Sequence, residues 1–225
     1  MERIPEPELM EKKEQVISYD EADFLEGELN LINQINHYLF INNISLDKKD
    51  LIVDLGCGPG NISEKLAIKW PNTEVVGIDG SKEMILRAEY NKEISTNQKK
   101  LKNLRYICSD IKDIKLTNSL LKKKISLLVS NSLIHHITHL EDFFKTIRSL
   151  SSDFTVNFHK DLKRPLDEKS ALELKAQCAI KYNEILTNDY YASLRASYTY
   201  KELKNFTLEK KLSSLDVFED GDKYL

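Results

Sequence analysis

Val53-Asp54-Leu55-Gly56-Cys57-Gly58-Pro59-Gly60-Asn61 decides how this chain is read. Three glycines at alternate positions follow an apolar run, Asp50 to Leu55, and open a helical stretch from Asn61 to Lys69 that Pro71 stops. Without side chains the backbone can turn tightly and approach a ligand, and the helix N-terminus offers free N–H donors. A second apolar run, Glu74 to Asp79, ends nineteen residues after Gly60 in an aspartate. A carboxylate at that strand end can accept both hydroxyls of a ribose. Glycine loop and acid together predict an α/β nucleotide-binding fold.

The alternation continues outward. Strands are expected at Leu104–Cys108, Ile125–Ser130 and Phe154–Phe158, with helices from Ser81 and over Leu140–Leu150, which describes a parallel sheet covered on both faces. Ser81 stands as the cap of its helix, with Glu83, Met84, Leu86 and Ala88 behind it. Before the sheet, Ile4 to Met10 reads as an extended arm, followed by helices over Glu11–Phe24 and from Leu29 to about Asn42. After it, Asp167 to Ala196 is one long, tyrosine-rich helical stretch, read as a cap inserted after strand 5. Lys201–Phe206 is a last helix, and Leu215–Glu219 with Tyr224-Leu225 forms a hairpin turning on Asp220-Gly221. The expected organisation is one domain over 1–225: arm and helices 1–45, core 50–160, cap 165–197, and last helix and hairpin 199–225.

Composition narrows the function. Thirty-three basic and 36 acidic side chains give a net charge of −3, without the basic excess of a nucleic-acid or membrane binder. The lysine clusters Lys99-Lys100-Leu101-Lys102 and Lys122-Lys123-Lys124 precede strands and read as solvated loop edges. Cys57, Cys108 and Cys178 form no CxxC, which fits a reducing compartment. With no apolar signal region or membrane-length run, the protein is expected in the cytoplasm.

Two nucleotide families remain open at this point. A dinucleotide fold wants a third small residue where Asn61 stands. The spacing found here, preceded by Asp54, resembles motif I of class I S-adenosylmethionine (SAM)-dependent methyltransferases, and Ile78-Asp79-Gly80-Ser81 with Met84 resembles their motif II. Cys108-Ser109-Asp110-Ile111 and Ser130-Asn131-Ser132-Leu133-Ile134-His135-His136 match the family's strand-3 and strand-4 ends. Ile4 to Met10, Tyr19 to Phe24, Asp161-Leu162-Lys163-Arg164-Pro165 and Asp189 to Leu194 look like a group of small bacterial methyltransferases whose acceptors are mostly unassigned.

The resemblance implies a Rossmann-like, seven-stranded, mostly parallel sheet with N-terminal helices and a helical cap after strand 5. It places SAM, leaving as S-adenosylhomocysteine, on Asp54, Gly56, Cys57, Gly58, Gly60, Asn61, Asp79, Gly80, Ser81, Met84, Asp110, Ile111, Asn131 and Ser132, with Tyr19 folding over it beside Phe24. Asp79 would hold the ribose, Asp110 and Ile111 the adenine. Taken by itself Asp110 reads as a turn or cap acid; within the series of motifs it reads as a cofactor contact.

Methyl transfer from a sulfonium is an in-line displacement on an activated carbon, so alignment and exclusion of water matter more than acid–base chemistry. His135, His136 and Asp161 are the candidate catalytic groups, since histidine can take a proton near neutral pH. His159, Arg164, Tyr190 and Tyr191 are candidate acceptor contacts, Arg164 equally a cap-stabilising ion pair. His135 and His139 stand four apart, but no zinc-type glutamate or cysteine accompanies them, and no metal is expected. Asn131-Ser132-Leu133-Ile134 lacks the Asn-Pro-Pro-aromatic row of amino methylators and the carboxylate of metal-dependent catechol enzymes. A small-molecule acceptor is left, with a non-catalytic SAM-binding subunit or regulator as the alternative. A nicotinamide oxidoreductase is opposed by Asn61, and arsenic-type thiol methylation lacks convergent cysteines. Two departures stand out: no Pro-Gly-Gly turn precedes strand 5, and a seventh strand would only be starting where the sequence ends at Leu225.

Overall fold

The computed structural model describes residues 1–6, 9–99, 101–114, 123–212 and 215–225. Pro7 and Glu8 of the expected arm, and Lys100 and Lys122 of the lysine clusters, lie outside them. The chain divides into two compact units: one of Met1–Glu8, Ser132–Thr138 and Lys160–Leu225, the other of Leu9–Asn131 and His139–His159.

The larger unit contains the sheet. Strands β1 (Asp50–Leu55), β2 (Glu74–Asp79), β3 (Leu104–Cys108), β4 (Lys124–Asn131) and β5 (Val156–Lys160, its last residue in the other unit) lie in the order β3-β2-β1-β4-β5. β1 pairs in parallel with β2 and β4, and β2 with β3. Buried runs such as Leu51-Ile52-Val53 and Val75-Val76 are what a parallel sheet covered on both faces requires. Helices α1 (Lys13–Asp20), α2 (Leu25–Ile41), α3 (Asn61–Lys69), α4 (Lys82–Lys99) and α5 (Leu140–Leu150) belong to this unit. Leu31, Ile35 and Leu39 of α2 recur on one helical face and join Ile52, Leu66, Val75, Leu127 and Val129 in a single core.

The registers bring the strand ends into one row. Leu55 stands opposite Ile78 and Ser130, and Asp79 opposite Cys108. The glycine loop, the acid that ends β2 and the turn after β3 are therefore neighbours, as expected at the carboxyl edge of an open α/β sheet.

The smaller unit carries α6 (Glu168–Ala179), α7 (Glu184–Ala196) and α8 (Tyr200–Glu209), with a 3₁₀ turn at Ile134–His136. Thr199 and Glu202 form a reciprocal capping box at the start of α8. Within this unit the chain end pairs with the segment Asp161–Lys163: Leu225 exchanges hydrogen bonds with Asp161 at 2.9 and 3.0 Å, and the Lys163 N–H reaches the Lys223 carbonyl at 2.8 Å.

Several expectations change. The long stretch 167–196 is two helices, because Asn183 leaves the helix and caps α7 by accepting the Leu186 N–H at 3.0 Å. The fifth strand starts at Val156 rather than Phe154, since Ser152 and Thr155 close a turn through backbone and side-chain bonds. The first helix spans only Lys13–Asp20. Five strands stand among the described residues; the terminal hairpin reduces to single bridges, Asp220 to Tyr224 and Leu162 to Tyr224, around Gly221 at φ +66°.

Gly77 in β2 is fixed by what crosses it: a Cβ there would lie 2.6 Å from the Tyr106 ring and 2.7 Å from Ser63 Oγ. Gly77→Ala should cost about 1–3 kcal/mol, as overpacked cores do, seen as a lower urea midpoint at unchanged slope.

Candidate functional site

The loop after β1 is built on left-handed glycines: φ is +66° at Gly56, +52° at Gly58 and +93° at Gly60. A Cβ would penalise each of these conformations, which is the physical reason for the alternate spacing. The Gly56 and Cys57 N–H groups donate to the Ile78 carbonyl at 2.8 and 3.1 Å, pinning the loop to the end of β2. Asp79 completes the tie. Its Oδ2 accepts the Gly58 N–H and its Oδ1 the Ser81 N–H, both at 2.8 Å. Burial raises the Asp79 pKa, and the two N–H donors oppose the rise.

Asp54, at the end of β1, is buried and accepts from Ser63 Oγ at 2.6 Å. Burial pushes its pKa up to about 7; the Ser63 hydroxyl pulls it down and the Asp79 charge pushes it further up. Cys57 is buried as well, and burial drives its thiol well above its ordinary value, so it is not a thiolate.

Gly80 lies against the arm, where a Cβ would stand 2.6 Å from Leu9 and 3.7 Å from Asp110 Cα. Ser81 Oγ reaches the Met10 carbonyl at 2.7 Å and accepts the Met84 N–H at 3.3 Å, the expected cap. Met84 is buried. Asp110 caps the 3₁₀ turn Ile111–Asp113 through the Lys112 N–H at 2.8 Å, and Ile111 gives its carbonyl to Thr146. Two further expected residues have partners of their own in the protein. The Asn61 amide donates to Glu28 at 2.9 Å, and the Tyr19 ring packs on Phe24 with centroids 5.0 Å apart. His159, near the end of β5, bonds Ser130 Oγ through Nδ1 at 2.9 Å.

The smaller unit gathers the other expected residues around a buried carboxylate. Asp161 accepts the N–H groups of Ile134, His135 and Leu162, and meets His135 Nδ1 at 2.5 Å. Burial would lower the His135 pKa, but the Asp161 carboxylate, and then Glu6, raise it. Ser132, also in this unit, is a non-glycine residue at φ +55° whose N–H reaches the Lys160 carbonyl at 2.9 Å.

Arg164 makes the ion pair rather than an open anion contact: Nη2 meets Glu202 at 2.5 Å and Nη1 the Ser197 carbonyl at 3.1 Å. Tyr191 donates to Glu168 and lies under Lys175 and Arg195, a latch between α6 and α7. Tyr190 is half-buried, its pKa pushed up to about 12 by burial. Sequence reading left out Arg3 and Glu6. The Arg3 fork donates to the carbonyls of Ala196, His135 and Ile137 and stacks on Tyr198, and Glu6 faces both histidines. The only signal was Glu6 between the two prolines of Ile4 to Met10.

A methyltransferase domain model matches residues 46–197, from before β1 through the end of α7. The chain belongs to the methyltransferase domain family. Trans-aconitate 2-methyltransferase of Azoarcus sp. is 49% identical over 45 residues, 20% of this chain and 18% of that protein. The Mycobacterium tuberculosis relative of the same description is 37% identical over 51 residues, 23% of this chain and 20% of that protein. The matched part of this methyltransferase-family chain thus spans about a fifth of the length of these curated relatives. Among solved structures, the plantazolicin methyltransferase BpumL, in complex with a triazolic desmethylPZN analog and SAH, aligns over 89% of this chain and 69% of its own at TM-score 0.66 and 18% identity. A SAM-dependent methyltransferase from Aquifex aeolicus aligns over 96% of both chains at TM-score 0.63 and 16% identity. At these identities the likeness is one of fold.

The loop glycines differ in what an added methyl would meet. At Gly60 it would collide with the Tyr106 hydroxyl and press on Ala88; at Gly58 nothing lies within 4 Å. Gly60→Ala should lose about 2–4 kcal/mol of stability and Gly58→Ala only about 1, compared by urea unfolding. Asp54 gives a pH test. Its raised pKa means that stability is fully present below about pH 4 and is lost as pH rises through about 7. Asp54→Asn should flatten that fall, by up to roughly 4 kcal/mol, in urea midpoints taken between about pH 4 and 8. Asp79 and Glu6, whose pKa values are also raised, supply a residual slope of the same sign.

Proposed function

We propose that this chain binds SAM on the glycine loop, Asp79 and the turn at Asp110, and transfers its methyl group to a small-molecule acceptor by in-line displacement. The observation that carries the reading is the clamp of Asp79 on the Gly58 and Ser81 N–H groups beside three left-handed glycines, in a chain of the methyltransferase domain family. The residues fit the cofactor. Each Asp79 oxygen accepts one N–H and keeps acceptor capacity for a ribose hydroxyl, and open space lies where a Gly58 Cβ would stand. Asp110 has one oxygen on the Lys112 N–H, leaving the other for an adenine amino group. When bound, SAM supplies an electrophilic methyl on a sulfonium; the chain's own task is to hold, orient and exclude water.

Of the groups expected at the acceptor, Asp161 is committed to three N–H groups and His135, which makes it a positioning residue. An acceptor proton would fall to His135 or His136. The helices α6 and α7 would correspond to the cap of one methyltransferase domain. Among the described residues no helix is long and apolar enough to cross a membrane, and the acidic balance supports a cytoplasmic, small-molecule role without nucleic acid.

Methyl-labelled SAM, incubated with the protein and a pool of small cytosolic metabolites, should pass label into a small molecule. Asp79→Ala should abolish transfer, and Gly58→Ala should weaken SAM binding at least tenfold while folding normally. Tight SAM binding with no transfer to any metabolite would overturn the enzymatic reading and favour a binding subunit.

A further inference from the structure

Within the smaller unit, Glu6, His135 and His136 bring one carboxylate oxygen and two imidazoles close together. The ligand-capable atoms all lie within 4.8 Å of one another. Glu6 Oε1 stands 3.5 Å from His135 Nε2 and 3.4 Å from His136 Nδ1. These separations exceed the usual N–H···O range of about 2.7–3.2 Å. Both Glu6 separations match an edge of a tetrahedron around a cation: bonds of about 2.0–2.2 Å to imidazole and carboxylate place neighbouring ligands about 3.3–3.5 Å apart.

Burial makes this arrangement more than a surface acid beside histidines. The Glu6 side chain is 10% exposed, and its Oε1 is buried with no hydrogen-bond partner. An ionised oxygen left in that state is costly unless a cation or proton shares it. His135 is 3% exposed, and its other nitrogen is held by Asp161. A carboxylate on the far ring nitrogen fixes the tautomer that turns a lone pair on Nε2 toward the site, the arrangement seen behind metal-bound histidines. The Arg3 fork on three carbonyls, with the Ile4 N–H on the Arg195 carbonyl at 3.0 Å, places Glu6 there.

We infer that Glu6, His135 and His136 form a binding site for a divalent transition metal ion of the zinc type, with Asp161 as the positioning residue behind His135. Two imidazoles and one carboxylate suit zinc rather than calcium or magnesium, which take oxygen ligands. Three protein ligands leave a fourth position for water or an anionic atom of a bound molecule. With the ion in place the histidine nitrogens are ligands and not bases, and the ion itself acidifies what it binds. The inference stands on this cluster alone; metal binding is measured without SAM, so its failure and that of the methyl-transfer reading are separate events.

The full-length protein, stripped with a chelator, is titrated with zinc chloride against a chromophoric competitor and, separately, with cobalt(II) followed by visible absorption. One ion per chain should bind, with the d–d bands of a tetrahedral nitrogen–oxygen site and no thiolate charge-transfer band. Glu6→Gln and His136→Asn should each weaken zinc binding roughly a hundredfold with circular dichroism unchanged, while His139→Ala should leave it as it is. Should one variant fail to fold, the other and the cobalt spectrum decide. No bound ion, a thiolate band, or affinity indifferent to both substitutions would overturn the site.

Discussion

The shape of the glycine loop in the larger unit depends on the Asp79 carboxylate. A loop with three left-handed glycines has many conformations to lose, and its N–H groups must find acceptors. Asp79 takes the Gly58 N–H with one oxygen and the Ser81 N–H with the other, while Ile78 beneath it takes those of Gly56 and Cys57. The end of β2 thereby dictates the shape of the loop after β1. On the proposed reading, the group that would meet the ribose doubles as the clamp that shapes the loop beside it, which accounts for a carboxylate drawn partly out of water.

The smaller unit repeats this device. Asp161 accepts the N–H groups at the start of the Ile134–His136 turn and fixes the His135 ring, and Arg3 satisfies carbonyls from that turn and from the end of α7. Buried charges of this kind are costly unless every partner is present. Glu6 Oε1, buried without a hydrogen-bond partner, faces the two histidines. Its position makes the cluster a ligand site rather than an internal brace.

Legibility in the sequence follows the range of the force that decides each feature. The helix Asn61–Lys69 and the strands Asp50–Leu55, Glu74–Asp79 and Leu104–Cys108 fall where the sequence places them, because continuous apolar runs between glycine, proline and acid signals are local facts. The break at Asn183 was also local, a capping residue inside a helical run, but the periodicity on either side masked it. Phe154 looked like strand, yet Ser152 and Thr155 hold that segment in a turn. Long-range contacts were not legible: Asn61 turning to Glu28, Arg164 to Glu202, and Glu6 meeting His135 all join residues that no spacing rule relates.

The central claim is that the glycine loop and the acid after β2 together hold SAM. Amide hydrogen exchange with and without SAM tests it most directly, reading the segments 54–61 and 78–84. Joint protection of both on binding, absent from Asp79→Asn, is the result expected. Protection of neither segment at saturating SAM, or protection unaffected by that substitution, would contradict the account.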